Sequence, residues 1–135
     1  MISRQDVRAQ ALNSATREAV RVLVVEDHED YRCLVQHFFE RANCDVVTAD
    51  SAEAALEIYA ELDPHIAVVD LVLPGMNGWQ LSELLTNELP NCAVAVSSSL
   101  DSAHYPSFVE HLPKPISRFA VTDLLSRRVP HWQGT

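Results

Sequence analysis

Three carboxylates and one ammonium group carry the chemistry open to this chain. Glu26 and Asp27 end one apolar run, Val22-Leu23-Val24-Val25. Asp70 ends another, Ile66-Ala67-Val68-Val69, and leads straight into Leu71-Val72-Leu73-Pro74-Gly75-Met76-Asn77-Gly78. A carboxylate at the end of a buried strand is penalised by desolvation and gains nothing from core packing. It needs a compensating cation or a role in chemistry. Lys114, the only lysine in the chain, stands in Leu112-Pro113-Lys114-Pro115 near the end of a further apolar segment. Together these groups make a cation site with a charge partner. A locally acidic, all-oxygen site of this kind suits Mg²⁺.

Such residues can act together only if a frame brings strand ends to one edge. From Arg21 onward, short apolar runs alternate with amphipathic stretches. The spacing predicts strands over about 21–26, 45–49, 66–70, 93–96 and 108–112. Helices are expected over about 29–42, 51–62, 77–88 and 117–128. In the first, Tyr31, Leu34, Val35, Phe38 and Phe39 recur at helical spacing, and the last four of these are read as core. Ser51 caps the second, with Glu53 in its first turn, and Pro64 follows its end. Pro90 breaks the third and Pro130 ends the last. Alternating strands and helices give an open parallel sheet covered on both faces. The Val- and Ala-rich strands fit such double cover. Ligands in these sheets bind beyond the carboxyl ends of the strands, and Glu26, Asp27, Asp70, Ser97 and Lys114 all fall at that edge.

Composition narrows the function. A length of 135 residues fits one domain with a real core. The net charge of −9 disfavours nucleic-acid binding, which needs a basic face. No run approaches the ~18 apolar residues of a membrane span, and the polar N-terminus lacks a signal-peptide core, so a cytoplasmic protein without membrane contact is expected. Cys33, Cys44 and Cys92 lack metal-type spacing and are expected to be reduced. The six histidines show no ligand pattern, and His28 beside the site is read as a bystander. Residues 1–20 are polar and Ala-rich and form an extension, flexible or helical; residues 129–135 form a short tail.

Four motifs in order, Val-Val-Glu-Asp, Val-Val-Asp-Leu-Val-Leu-Pro-Gly-Met-Asn-Gly, a hydroxyl residue closing the fourth strand, and Lys-Pro, give a chain that over about 21–128 resembles the receiver domain of two-component response regulators. The resemblance implies an α/β, flavodoxin-like, doubly wound five-stranded parallel sheet in the order 2-1-3-4-5. It implies that Asp70 accepts a phosphoryl group, and that Glu26, Asp27, Asp70 and the backbone carbonyl of Val72 hold Mg²⁺. Ser97 matches the hydroxyl residue that contacts the phosphoryl group, although a shift of one residue would hand that role to Ser98. Lys114 matches the lysine that pairs with the same group. The implied partners are a sensor histidine kinase or a histidine phosphotransfer protein, an unknown downstream protein and, possible for this family, a second copy. No DNA-binding or enzymatic output domain is expected, so the chain reads as a stand-alone, non-enzymatic receiver of a phosphorelay.

The chain also departs from the family. Between Ser97 and Lys114 the residues are too few for a full helix and a strand, so Ser98 to Ser107 are expected to form a loop or at most one turn. The family's switch aromatic in the fifth strand is replaced by His111, with Tyr105 and Phe108 nearby but out of register. Val72 and Ser99 occupy positions that tune dephosphorylation in the family. Val72 has no side-chain group to orient a water, so slow loss of phosphate is expected. Two other readings remain: a receiver-like module that binds its partner without phosphorylation, and a phosphohydrolase. The second lacks the usual acid two residues after Asp70.

Overall fold

A computed structural model describes residues 19–134; the expected extension over 1–20 lies almost entirely outside them. Five strands, β1 (Val20–Val25), β2 (Cys44–Ala49), β3 (Ile66–Val69), β4 (Ala93–Val96) and β5 (Glu110–His111), pair in parallel in the order β2-β1-β3-β4-β5. The helices are α1 (Glu29–Glu40), α2 (Ala52–Leu56), α3 (Tyr59–Leu62), α4 (Gly78–Glu88) and α5 (Arg118–Arg128). This is the sheet order and alternation expected from the sequence. Registers Val25↔Val69 and Val69↔Val96 bring the ends of the three central strands level. Glu26, Asp70 and Ser97 therefore follow at the same edge.

Alternate strand residues feed two apolar layers. On one face Val22, Val24, Ile66, Val68 and Ala95 pack with Val35 and Phe39 of α1 and Val121, Leu124 and Leu125 of α5. On the other, Leu23, Val25, Ala67, Val69 and Val94 pack with Leu62, Leu81 and Leu85. Each Val, Leu, Ile or Phe side chain among them, fully buried, contributes about 1.5–3 kcal/mol. Polar caps fix where the helices begin: Ser51, Asn77 and Ser117 each accept a backbone N–H three residues on.

Three local expectations are corrected. Leu34 is not core: it is 41% exposed. It lies about 100° around the helix from Val35, which points into the sheet, and Phe38 is only partly buried. The single helix expected over 51–62 is two, because the Glu57 and Ile58 N–H groups bond three residues back instead of four. Ile58 and Leu62, four residues apart on one helix face, are both buried. The fifth strand is shorter than 108–112, with Glu110 and His111 alone in the ladder, although Leu112 N–H still donates to Val96 O at 2.8 Å. The shortened connection after β4 is as expected, a loop with one 3-10 turn over Ser102–His104.

His65, at the entry to β3, gives the fold a pH dependence. Its Nδ1 accepts the Arg21 backbone N–H at 2.9 Å, and its ring meets His131 edge-on at 4.8 Å. Burial first, then the Arg21 charge, pushes its pKa from 6.5 to about 4. The unfolded chain thus binds a proton in that window that the folded chain refuses. The stability contribution is complete above about pH 6.5 and is lost as pH falls toward about 4. In urea titrations across this window, His65→Asn, which keeps an acceptor for Arg21, is expected to lose less stability on acidification than the wild type. Parallel losses in the two proteins would contradict this.

Candidate functional site

The site is assembled from four strand ends. β1 delivers Glu26, whose N–H donates to Ala49 O of β2 at 3.1 Å, so the ladder runs one residue past the strand. Asp70 is held the same way, its N–H donating to Val25 O at 3.0 Å, and Ser97 likewise to Val69 O at 3.0 Å. All three side chains are buried, although all are polar. Asp27, one residue further out, is exposed. Arg32 donates to the backbone carbonyls of Glu26 and Asp27 and pins this end of β1.

Lys114 closes the site. Its Nζ lies 2.7 Å from Glu26 Oε1 and 3.2 Å from Asp70 Oδ2. The side chains of Glu26 and Asp70 are 4% and 7% exposed, so these pairs are far less screened than surface salt bridges. Burial raises the Glu26 pKa above its ordinary range and outweighs the hydrogen bond from Lys114; the Asp70 charge adds to the rise. For Lys114, burial works toward a lower pKa, but the Glu26 hydrogen bond and the Asp70 charge overcome it and the value is raised. The ammonium is therefore firmly charged and already shared between two acids.

Ligand oxygens from Glu26, Asp27 and Asp70 all lie within 4.8 Å of one another. Three clustered carboxylates facing one ammonium retain surplus negative charge at a partly open edge, a donor set that fits a hard divalent cation. The loop after β3 frames the same place. Val72 N–H donates to Asp70 Oδ1 at 3.1 Å, and the Val72 side chain is 56% exposed. Gly75 adopts φ +71, and the next N–H, of Met76, donates to Glu53 Oε2 at 2.9 Å. Gly78, the first residue of α4, packs against the backbone of Asp70 and Leu71.

Ser97 and Ser98 are separated by their surroundings. Ser97 Oγ lies 3.5 Å from the Tyr31 hydroxyl, on the Lys114 side. Ser98 Oγ is occupied by the Leu100 N–H, and the Ser98 backbone is clamped by Tyr105, whose hydroxyl accepts from Ser98 N–H at 2.9 Å and donates to Ser98 O at 2.6 Å. Ser99 is exposed. His111 pairs with Val96 in the sheet, but its side chain is exposed and stands edge-on to the buried Tyr105 ring at 5.0 Å. Phe108 is exposed, and His28 caps α1 by accepting the Tyr31 N–H at Nδ1. Tyr31 is the residue that sequence reasoning placed only on a helix face. Its position four residues after the acidic pair, in the first turn of the next helix, was the available signal.

Comparison with known proteins agrees with this fold. Residues 22–123 match the family model described as the response regulator receiver domain. The sensory/regulatory protein RpfC of Xanthomonas campestris pv. campestris is 39% identical over 50% of this chain, a match spanning 9% of RpfC. Protein PilG of Pseudomonas aeruginosa is 26% identical, over 84% of this chain and 90% of PilG. Among solved structures, the response regulator protein TrrA of Thermotoga maritima, in complex with Mg²⁺-BeF, superposes with a TM-score of 0.72 at 18% identity, covering 82% of this chain and 99% of that one. At that identity the likeness is one of fold. No helix among the described residues is long and apolar enough to cross a membrane.

Gly78 offers a direct test of how the site is framed. A Cβ at this position would run into the Asp70 carbonyl and the Leu71 backbone, which cannot yield as a flexible side chain could. Gly78→Ala is expected to cost about 3 kcal/mol or more in urea unfolding, and a loss below about 1 kcal/mol would contradict the packing described.

Proposed function

The chain belongs to the response regulator receiver domain family, and on that premise we propose that Asp70 accepts a phosphoryl group from a histidine kinase or a histidine phosphotransfer protein. Receiver domains are signalling modules, not enzymes; they bind Mg²⁺ at an acidic pocket and are phosphorylated by histidine kinases. The observation that carries the reading for this chain is the buried Asp70 carboxylate, paired with Lys114 and within 4.8 Å of Glu26 and Asp27.

The roles follow from charge. An Asp70 carboxylate oxygen attacks phosphorus, forming the P–O bond as the P–N bond to the donor imidazole breaks and the imidazole departs. Negative charge on the phosphoryl oxygens then has to be neutralised, which is mainly electrostatic positioning. Lys114 supplies a point charge already poised at Asp70. Ser97 supplies a hydroxyl donor at the neighbouring strand end. Glu26, Asp27, Asp70 and the Val72 carbonyl would hold Mg²⁺, and that ion, when bound, offsets charge on the phosphoryl oxygens. TrrA's complex with Mg²⁺-BeF supports this by analogy of fold.

The reading further assigns residues 21–128 as the receiver and 129–135 as a tail, acting in the cytoplasm through protein contact with a target, with a homodimer as one form that contact can take. The chain spans only a small part of RpfC, so activities of such longer relatives are not carried over.

Intact mass after incubation with acetyl phosphate and Mg²⁺ tests the proposal. One phosphoryl adduct is expected on wild type and none on Asp70→Asn. Absence of the adduct on both would favour a module that docks without phosphorylation, using the altered connection between β4 and β5. In the same preparation the adduct is expected to decay slowly, because the exposed Val72 side chain has no polar atom to orient water; a half-life under a minute would contradict that role.

A further inference from the structure

Tyr31 makes two contacts with the segment that delivers Lys114. The Ile116 N–H donates to its hydroxyl at 2.9 Å, and the Lys114 ammonium stands 4.4 Å from the centre of its ring. The two contacts differ in kind. The first fixes the backbone two residues beyond Lys114. The second fixes the charged end of the side chain through attraction to the ring face, which strengthens when the pair is partly withdrawn from water. A long lysine side chain has several rotatable bonds, and holding it in one place costs conformational entropy. A ring already anchored by α1 reduces the freedom that remains.

The hydroxyl has a third neighbour. With one lone pair engaged by Ile116, Tyr31 Oη faces Ser97 Oγ at 3.5 Å, the outer limit of a hydrogen bond in which either oxygen can donate. One side chain thus meets both of the non-carboxylate groups assigned to the phosphoryl group. A core tyrosine would need only a buried ring and one hydroxyl partner.

We infer that Tyr31 is a positioning residue: its ring and its Ile116 anchor hold the Lys114 ammonium where a phosphoryl group on Asp70 would meet it. This rests on the reading of Asp70 as phosphoacceptor for its purpose, though not for its geometry. Ring and hydroxyl are separable by substitution. Tyr31→Phe keeps the ring and loses the Ile116 and Ser97 contacts; Tyr31→Leu loses all of them.

Because Lys114 is the only lysine, ¹³C-lysine labelling gives a single set of side-chain NMR signals. In wild type and Tyr31→Phe the Lys114 ε-methylene protons are expected upfield of an exposed lysine, shifted by the aromatic ring. In Tyr31→Leu they are expected to return to the exposed value. The rate of phosphoryl uptake from acetyl phosphate with Mg²⁺ is expected to fall about tenfold in Tyr31→Leu and about threefold in Tyr31→Phe. Identical Lys114 shifts in all three proteins would overturn the inference. So would uptake by Tyr31→Leu at the wild-type rate. If wild type itself takes up no phosphoryl group, the Asp70 reading falls, while the lysine signals still decide whether Tyr31 holds Lys114.

Discussion

Glu26, Asp27 and Asp70 cluster around a single ammonium that pairs with only two of them, and the rest of the carboxyl edge is arranged around that imbalance. Two of the acids are buried, and buried charges persist only when paired and hydrogen-bonded. Lys114 pairs with both and is itself held charged by them. Its one positive charge offsets only one of the three carboxylates. Surplus negative charge concentrated at the mouth of a rigid sheet is unfavourable for stability alone and useful for drawing in a divalent cation. The fold accepts this cost because register, not local preference, decides where the acids sit. Once β1, β3 and β4 end level, the residues after Val25, Val69 and Val96 must share one edge.

The other end of the charge network is a problem of mobility. Lys114 arrives from a loop and has to meet carboxylates carried on strands. Backbone and side-chain contacts converge on that loop: Leu112 N–H on Val96 O, Lys114 N–H on Ser98 O, and Ile116 N–H on the Tyr31 hydroxyl. With only one 3-10 turn between β4 and β5, much of the support a helix would give comes from Tyr105, which is buried and clamps both backbone groups of Ser98. The loop is therefore tied to the residue next to Ser97. His111 at the strand position is exposed and meets the buried Tyr105 ring in a T-shaped contact at 5.0 Å, so the buried aromatic beside β4 comes from the loop.

Much of this was legible in the sequence. The Val- and Ala-rich runs, each stopping at an acid or a serine, mark strands buried on both faces with their polar residues at one end, and sheet order followed from resemblance. Asp70, Glu26, Asp27 and Lys114 stood out because nothing in packing accounts for them. What escaped is what depends on three-dimensional neighbours. Leu34 and Val35 carry the same periodic signal, and only the tilt of α1 on the sheet decides which is buried. The break at Glu57 and Ile58 has no Pro or Gly to announce it; it consists of two N–H groups that bond three residues back, which residue type does not signal. Tyr31 looked like one more apolar helix residue, since its partners lie 66, 83 and 85 positions away at Ser97, Lys114 and Ile116. Tyr105 lay in a polar loop, where an aromatic gives no sign of direction.

The charge imbalance is the central claim, and thermal unfolding with and without Mg²⁺, at matched ionic strength, tests it most directly. At a tenfold excess over Kd, Mg²⁺ is expected to raise the wild-type midpoint by about 3–6 °C. Asp27→Asn, which removes an exposed acid from the cluster and leaves the buried pairs intact, should lose most of that rise. An equal midpoint in wild type with Mg²⁺ and with a monovalent salt alone would contradict the account, because the clustered carboxylates would then have no demand for a further cation.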